Sequence, residues 1–321
     1  MKIQALCHMY PPMHNAGAEH MLHAMLSYLV KQGHSAEVIV LPTDNMDRLA
    51  DFRGFTLDGV KVTSKLTRLG KCDIMFTHLD RTELAERICY DKNIPLVQVL
   101  HNEARVQMMR NCDLAVYNTE WLSRIGDSEL HHCIVHPPVW EDRYKVENKG
   151  NAITLINLQQ NKGAEMFYYL ASRLPQYRFI GVMGSYGHQL LPNNLPNVEI
   201  WENQKDIRKV YEQTHILLMP SAYESYGRCA IEAAVSGIPT IANPTNGLLE
   251  ALSDAGTYPL PDSDSWLSAI EYVEQNYAYK SQKAVKISKQ FDSVFEMKNL
   301  EKELNKLLNS DFSAIMEKIK Q

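Results

Sequence analysis

One stretch, residues 220–250, PSAYESYGRCAIEAAVSGIPTIANPTNGLLE, constrains this chain more than any other. The apolar run His215–Met219 before it reads as a buried strand, and Cys229–Val235 within it reads as a helix. Between them lies a polar turn containing Gly227. A strand, a glycine-containing turn and a helix start gather unpaired backbone N–H groups, which suit an anion. Two carboxylates frame that turn. Glu224 lies in it, and Glu232 interrupts the otherwise apolar helix. An anion cradle beside hydroxyl acceptors suits a ligand carrying both phosphate and sugar.

The stretch resembles the E-x7-E motif of retaining GT-B-fold glycosyltransferases, the glycogen-synthase and sucrose-synthase-like group (glycosyltransferase family four-like). The resemblance runs through Pro220, Ser221, Glu224, Gly227, Glu232, Ala233, Gly237, Pro239 and Ile241, and resumes at Gly247 and Glu250. Tyr226 stands where the family has Phe, Val235 where it has its second Ala, and Thr240 where it has Val. The resemblance implies that Glu232 binds ribose hydroxyls and Glu224 the hydroxyls of the donor sugar. The backbone N–H groups of Ser225, Tyr226 and Gly227 would contact sugar and phosphate. ITLINLQQNKGAEMF resembles the family's G-R-L-x-x-x-K-G, which implies Lys162 on the donor pyrophosphate, but Asn157 stands where the family has Arg. Arg228 is a candidate replacement cation. PPMHNAGAEHML resembles the family's P-P-x-x-G-G-x-E loop through Gly17 and Glu19, with Ala16 replacing the first glycine. Glycine there lets backbone approach a phosphate. IPLVQVLHNE resembles the family strand that ends in a His, which implies His101 beside the donor sugar, with His78 a weaker candidate on the acceptor side.

The fold expected is α/β: GT-B, two Rossmann-like doubly wound domains facing a central cleft. Apolar residues Ala18, Met21, Leu22, Met25, Leu26 and Leu29 repeat at three and four, one helical stripe closed by Gly33. Strands are expected at 2–9, 36–41, 73–76, 95–100, 113–117 and 133–135, with helices between, and such alternation implies parallel sheets. After Pro137-Pro138 the polar stretch 141–151 reads as a linker, and the alternation restarts. Residues 1–145 are therefore expected to form the acceptor-side domain and 151–290 the nucleotide-sugar domain. By resemblance, the helical tail 291–321 packs back on the first domain.

A chain of 321 residues with 45% hydrophobic content is long enough for two such domains. Its net charge of −5 gives no global pull toward nucleic acid or anionic membrane. Six scattered cysteines with no C-x-x-C pair read as reduced thiols. No segment has the apolar length of a membrane span. The expected location is the cytoplasm, with peripheral membrane contact still compatible. The run HHCIVH carries His131, His132, Cys133 and His136, but strand alternation sends neighbours to opposite faces, so no metal site is expected there. The relatives need neither bound metal nor cofactor, and the donor is a nucleoside-diphosphate-sugar. Lys61, Lys65 and Arg68 share a face at helical spacing, which would suit a phosphate-bearing acceptor.

The acceptor stays open among glycan, lipid, small molecule and nucleic acid. Three rivals to the transferase also stay open: a phage-type DNA glycosyltransferase acting on a modified base, an epimerase or phosphorylase of the same fold, and a degenerate nucleotide-sugar-binding module without turnover. Retaining transfer of a hexose or pentose is the reading carried forward.

Overall fold

The computed structural model describes residues 1–41, 54–108, 111–191 and 194–309. The chain forms two units: residues 1–138 with the helix Ser293–Asn309, and residues 139–292. The boundaries fall at 138/139 and 292/293, against the expected 145/151 and 290/291. The polar stretch after Pro138 is not a free linker. Val139, Tyr144 and Val146 pack on the core of the second unit, and the Val146 backbone N–H donates to Ser236 Oγ at 2.9 Å.

The first unit is built on eight strands: β1 (Lys2–Cys7), β2 (Ser35–Val40), β3 (Phe55–Leu57), β4 (Val60–Thr63), β5 (Ile74–His78), β6 (Leu96–Leu100), β7 (Leu114–Tyr117) and β8 (His132–Ile134). Their order in the sheet is β3-β4-β2-β1-β5-β6-β7-β8. Every pairing is parallel except the hairpin β3–β4. The sheet is apolar on both faces, as a parallel sheet covered by helices must be. In β1, Ile3, Ala5 and Cys7 face one core, while Leu6 faces another with Ile39 and Met75. The chain runs from β1 outward to β2, then returns to place β5 on the other side of β1, so the strand order reverses between β1 and β5.

The hairpin β3–β4 replaces an element read differently from sequence. Asp58 and Gly59 form its tip with φ of 46° and 83°. A two-residue tip with both φ positive favours Asp-Gly, and that dipeptide is the signal that could have revealed the hairpin. Lys61 consequently lies on β4, Lys65 precedes a short 3-10 turn at Leu66–Arg68, and Arg68 Nε pairs with Glu37 Oε1 at 2.5 Å. The basic helical face expected from Lys61, Lys65 and Arg68 does not form.

The second unit holds five strands: β9 (Ala152–Ile156), β10 (Arg178–Val182), β11 (Val198–Trp201), β12 (Thr214–Met219) and β13 (Thr240–Ala242). Their order is β11-β10-β9-β12-β13, all parallel. Here the order reverses between β9 and β12. A sheet of this kind binds ligands beyond the strand C-termini at such a reversal, where successive connections leave in opposite directions and open a crevice. Between β11 and β12 the chain makes one helical turn, Arg208–Tyr211.

The helix Ser293–Asn309 lies against β8 and the helix Gly17–Lys31. Met297, Leu300, Leu304 and Leu307 repeat at three and four and enter the first unit's core. Its carboxylates take histidines of the same unit: Glu296 meets His136 at 2.7 Å, Glu301 meets His34 at 2.9 Å and Glu303 meets His131 at 2.8 Å. The histidines of the HHCIVH run are thus committed to separate partners. Because Leu304 is wholly buried, Leu304→Ala is expected to lower the unfolding free energy of the first unit by about 2–5 kcal/mol. Urea unfolding read by circular dichroism tests this, and an unchanged midpoint would mean the helix is not part of that core.

Candidate functional site

The loops that follow β9 and β12 meet at the reversal point of the second unit. The loop after β9 passes through the 3-10 turn Gln160–Lys162 and then Gly163, whose φ is 85°. A Cβ at Gly163 would stand 2.6 Å from the backbone oxygen of Pro220. Only glycine permits both the left-handed backbone and this approach. The contact is reinforced by Ala222 N–H donating to the Asn161 carbonyl at 2.9 Å, and by Asn243 Nδ2 donating to the carbonyls of Pro220 and Ser221. Two loops far apart in sequence are thereby held as one piece.

Their side chains converge on one carboxylate. Lys162 Nζ and Ser221 Oγ both donate to Glu224 Oε1, at 2.6 and 2.8 Å. Burial works against the Lys162 ammonium, but the Glu224 charge and hydrogen bond outweigh it, so the lysine pKa is raised and the group stays cationic at neutral pH. Gly247 allows the helix Asn246–Leu252 to abut the turn, since a Cβ there would run into the backbone of Glu224 and Ser225. Gly227 has a φ of 87°, and a Cβ there would run into Leu248. Tyr226, at the position expected to be Phe, is buried in the surrounding core.

The helix Arg228–Ala234 carries Glu232, whose carboxylate is already engaged. Tyr211 Oη donates to Oε2 at 2.7 Å. Arg228 Nε lies 3.2 Å from Oε1, a charge contact rather than an aligned hydrogen bond. The Arg228 guanidinium also donates to Tyr144 Oη and lies over the Tyr144 ring. Burial raises the Glu232 pKa, opposed by Arg228 and Tyr211. Arg228, expected as a stand-in cation for the missing family arginine, is instead committed to Glu232 and Tyr144. The physical reason is helical spacing, which stacks residues four apart on one face. Tyr144 and Tyr211 carried no sequence signal: one lay in a polar stretch and the other in a weak helix.

Asn157 has its own local reason. Its φ is 77°, and its Oδ1 accepts from the Gln159 backbone N–H at 3.2 Å. Asn tolerates the left-handed region because its side chain bonds the nearby backbone, which a long cationic side chain does not do.

The remaining expected residues lie in the first unit. His78 ends β5 and His101 follows β6, with His78 Nδ1 and His101 Nε2 3.1 Å apart. Burial pushes both imidazoles down, to about 4 and about 3, so both are neutral at physiological pH. The helix after His101 is capped by Asn102, whose Oδ1 accepts from the Arg105 backbone N–H at 2.9 Å, so His101 is free of that duty. Gly17 opens the helix Gly17–Lys31 with an ordinary φ, and a Cβ there would touch none of the described residues. The fold does not require glycine at that position, whereas a closely approaching ligand would.

Residues 189–291 match the family model described as glycosyl transferases group 1. The chain is 33% identical over 76 residues to an uncharacterized 41.2 kDa protein in the cps region of Klebsiella pneumoniae, covering 24% of this chain and 21% of that one. It is 27% identical over 200 residues to the D-inositol 3-phosphate glycosyltransferase of Mycobacterium sp. (strain KMS), covering 51% of this chain and 45% of that enzyme. The chain thus spans less than half the length of these curated relatives. Among solved structures it is similar to Anabaena HepE in complex with UDP-glucose, with a TM-score of 0.76, 17% identity and coverage of 96% and 100%. It is also similar to sucrose-phosphate synthase from Thermosynechococcus elongatus, with a TM-score of 0.75, 13% identity and coverage of 97% and 100%. No helix among the described residues is long and apolar enough to cross a membrane.

The Arg228–Glu232 contact makes a sharp test of the electrostatics. Arg228→Ala strips a buried carboxylate of its cation, a loss worth about 3–5 kcal/mol of stability at neutral pH. The Glu232 pKa, already raised, then rises further. A raised folded-state carboxylate pKa means stability is present at low pH and lost as pH climbs through that pKa. The deficit of Arg228→Ala relative to wild type should therefore shrink as pH falls through the carboxylate range. Paired thermal melts across that range check it, and a deficit independent of pH would mean Glu232 is not the group affected. The chain has the GT-B fold, and its residues 189–291 carry the group 1 glycosyl transferase pattern.

Proposed function

We propose that this chain is a retaining glycosyltransferase, moving a hexose or pentose from a nucleoside-diphosphate-sugar to an acceptor hydroxyl. The observation that carries this reading is the convergence of Lys162 Nζ and Ser221 Oγ on Glu224 at the sheet reversal of the unit whose residues 189–291 match glycosyl transferases group 1. That location is where an α/β sheet receives its ligand. The pair supplies one mobile cation and one hydroxyl acceptor.

In the proposed reaction the bond from the anomeric carbon to the diphosphate oxygen breaks, and a bond to the acceptor oxygen forms on the same face. The acceptor proton passes to the departing phosphate. As donor binds, Lys162 turns from Glu224 to the pyrophosphate and neutralises the charge that grows there. Glu224, released, accepts from the sugar hydroxyls. Backbone N–H groups of Ser225, Tyr226 and Gly227 contact sugar and phosphate, and Asn157 lines the same turn. Glu232 accepts the ribose hydroxyls, and Arg228 and Tyr211 hold its carboxylate in place. In the first unit, Gly17 gives room to a phosphate, His101 contacts the sugar and His78 serves the acceptor side. Rate enhancement then comes from positioning and charge stabilisation, with no covalent intermediate on the protein.

HepE is described in complex with UDP and with UDP-glucose, so UDP-glucose is the first donor to try. Thermal shift with UDP, GDP, ADP, CDP and TDP reads donor binding directly. A ligand at a hundred times its dissociation constant adds about 2.7 kcal/mol of stability. One nucleotide should stabilise the wild type and Glu224→Ala alike, and fail with Glu232→Ala. With the matching nucleotide-sugar, Glu224→Ala should lose turnover by about a hundredfold or more. No stabilisation by any of the five would overturn the reading, and an inverted anomeric product would overturn retention.

A further inference from the structure

The first unit has its own reversal point, between β1 and β5, and a polar cluster occupies it. His8 follows β1, His14 lies in the next loop, Glu19 is in the first turn of the helix Gly17–Lys31, and His78 ends β5. Nothing in the donor reading uses His8, His14 or Glu19. Glu19 is 1% exposed, and among the described residues no lysine or arginine pairs with it. Among the described residues its Oε2 has no hydrogen-bond partner. A carboxylate out of water is stabilised by a cation beside it.

The distances point to which cation. His14 Nδ1 lies 3.4 Å and His8 Nε2 3.7 Å from Glu19 Oε1. The three donor atoms all fall within 4.8 Å of one another. The 3.4 and 3.7 Å separations are longer than a normal hydrogen bond. They lie near the spacing of atoms on a shared ion, because ligands with bonds of about 2.0 Å arranged tetrahedrally stand about 3.3 Å apart. We propose that His8, His14 and Glu19 form a binding site for a late first-row divalent cation, with zinc as the reference ion. Two imidazoles and one carboxylate suit such ions better than calcium or magnesium, which prefer all-oxygen shells.

The surroundings fit this chemistry. His78 is wholly buried, its Nδ1 is engaged with His101, and among the described residues its Nε2 has no partner. The His78 ring lies 6.2 Å from that of His8. Three protein donors leave a further coordination position for water or a substrate oxygen, and His78 Nε2 is the nearby group able to hydrogen-bond a ligand there. The site stands on the first unit alone and does not depend on the transfer reaction.

The test uses the untagged full chain, stripped with a chelator and titrated with Zn2+ against a chromophoric competitor. One Zn2+ per chain is expected. Co2+ should bind the same site and give visible d–d bands without the thiolate charge-transfer band that cysteine ligation would produce. Glu19→Gln and His14→Asn should each weaken Zn2+ binding by about tenfold or more. His188→Ala, at an exposed histidine of the other unit, should leave it unchanged. His8→Asn, at a less buried position, replaces Glu19→Gln if that variant does not fold. The proposal is overturned by absence of stoichiometric binding, by a thiolate band, or by unchanged affinity in the Glu19 and His8 variants. Any of these would leave a proton shared between His14 and Glu19 as the cation.

Discussion

Backbone contact between the Gly163 loop and Pro220 is the constraint on which the second unit's site depends. Neighbouring parallel strands β9 and β12 deliver their loops to the same edge, but that alone would leave them separated by side chains. Glycine at 163 removes the obstacle, and the hydrogen bond from Ala222 to Asn161 holds the loops together. Lys162 and Glu224 can then share a hydrogen bond across 62 residues of sequence. Gly247 does the same from the opposite side, bringing a helix start against the Glu224–Ser225 turn. The glycines fix geometry, and the charged residues use it.

Electrostatics then separates the two glutamates into different conditions. Glu224 is half-buried and bonded to a lysine with a flexible stem, so its partner can exchange as a ligand arrives. Glu232 is deeply buried, bonded to a tyrosine and in contact with an arginine one helical turn away. Its burial works against the ionised form, and Arg228 offsets that penalty. A ligand hydroxyl that meets Glu232 meets a carboxylate already held in one orientation, which reduces the entropy lost on binding.

The first unit follows the same architectural logic with different chemistry. Its reversal point is lined by imidazoles with one carboxylate among them. Its far edge is closed by a helix that leaves the second unit's sequence and inserts four apolar residues into the first core. The chain termini of the described structure are thus tied into one unit, and the second unit is an insertion between them.

Local sequence determined a good deal. Apolar periodicity located the central strands and the helix Gly17–Lys31, because burial on both faces of a parallel sheet demands long apolar runs. The E-x7-E spacing singled out Glu224 and Glu232, and the Lys-Gly pair singled out residues 162 and 163, since these patterns are short and contiguous. Lys61, Lys65 and Arg68 have helical spacing in sequence, but the hairpin upstream puts Lys61 on β4 and leaves Lys65 and Arg68 in the irregular segment after it. Only tertiary structure decided where side chains pointed. Arg228 turned to Glu232 instead of outward, Tyr144 and Tyr211 became its neighbours, and His8, His14 and Glu19 met at one strand edge. Such encounters depend on which strands lie side by side and on which loops glycine lets touch. That information is absent from local sequence, because hydrophobic periodicity specifies an element's buried face but not the neighbour that buries it.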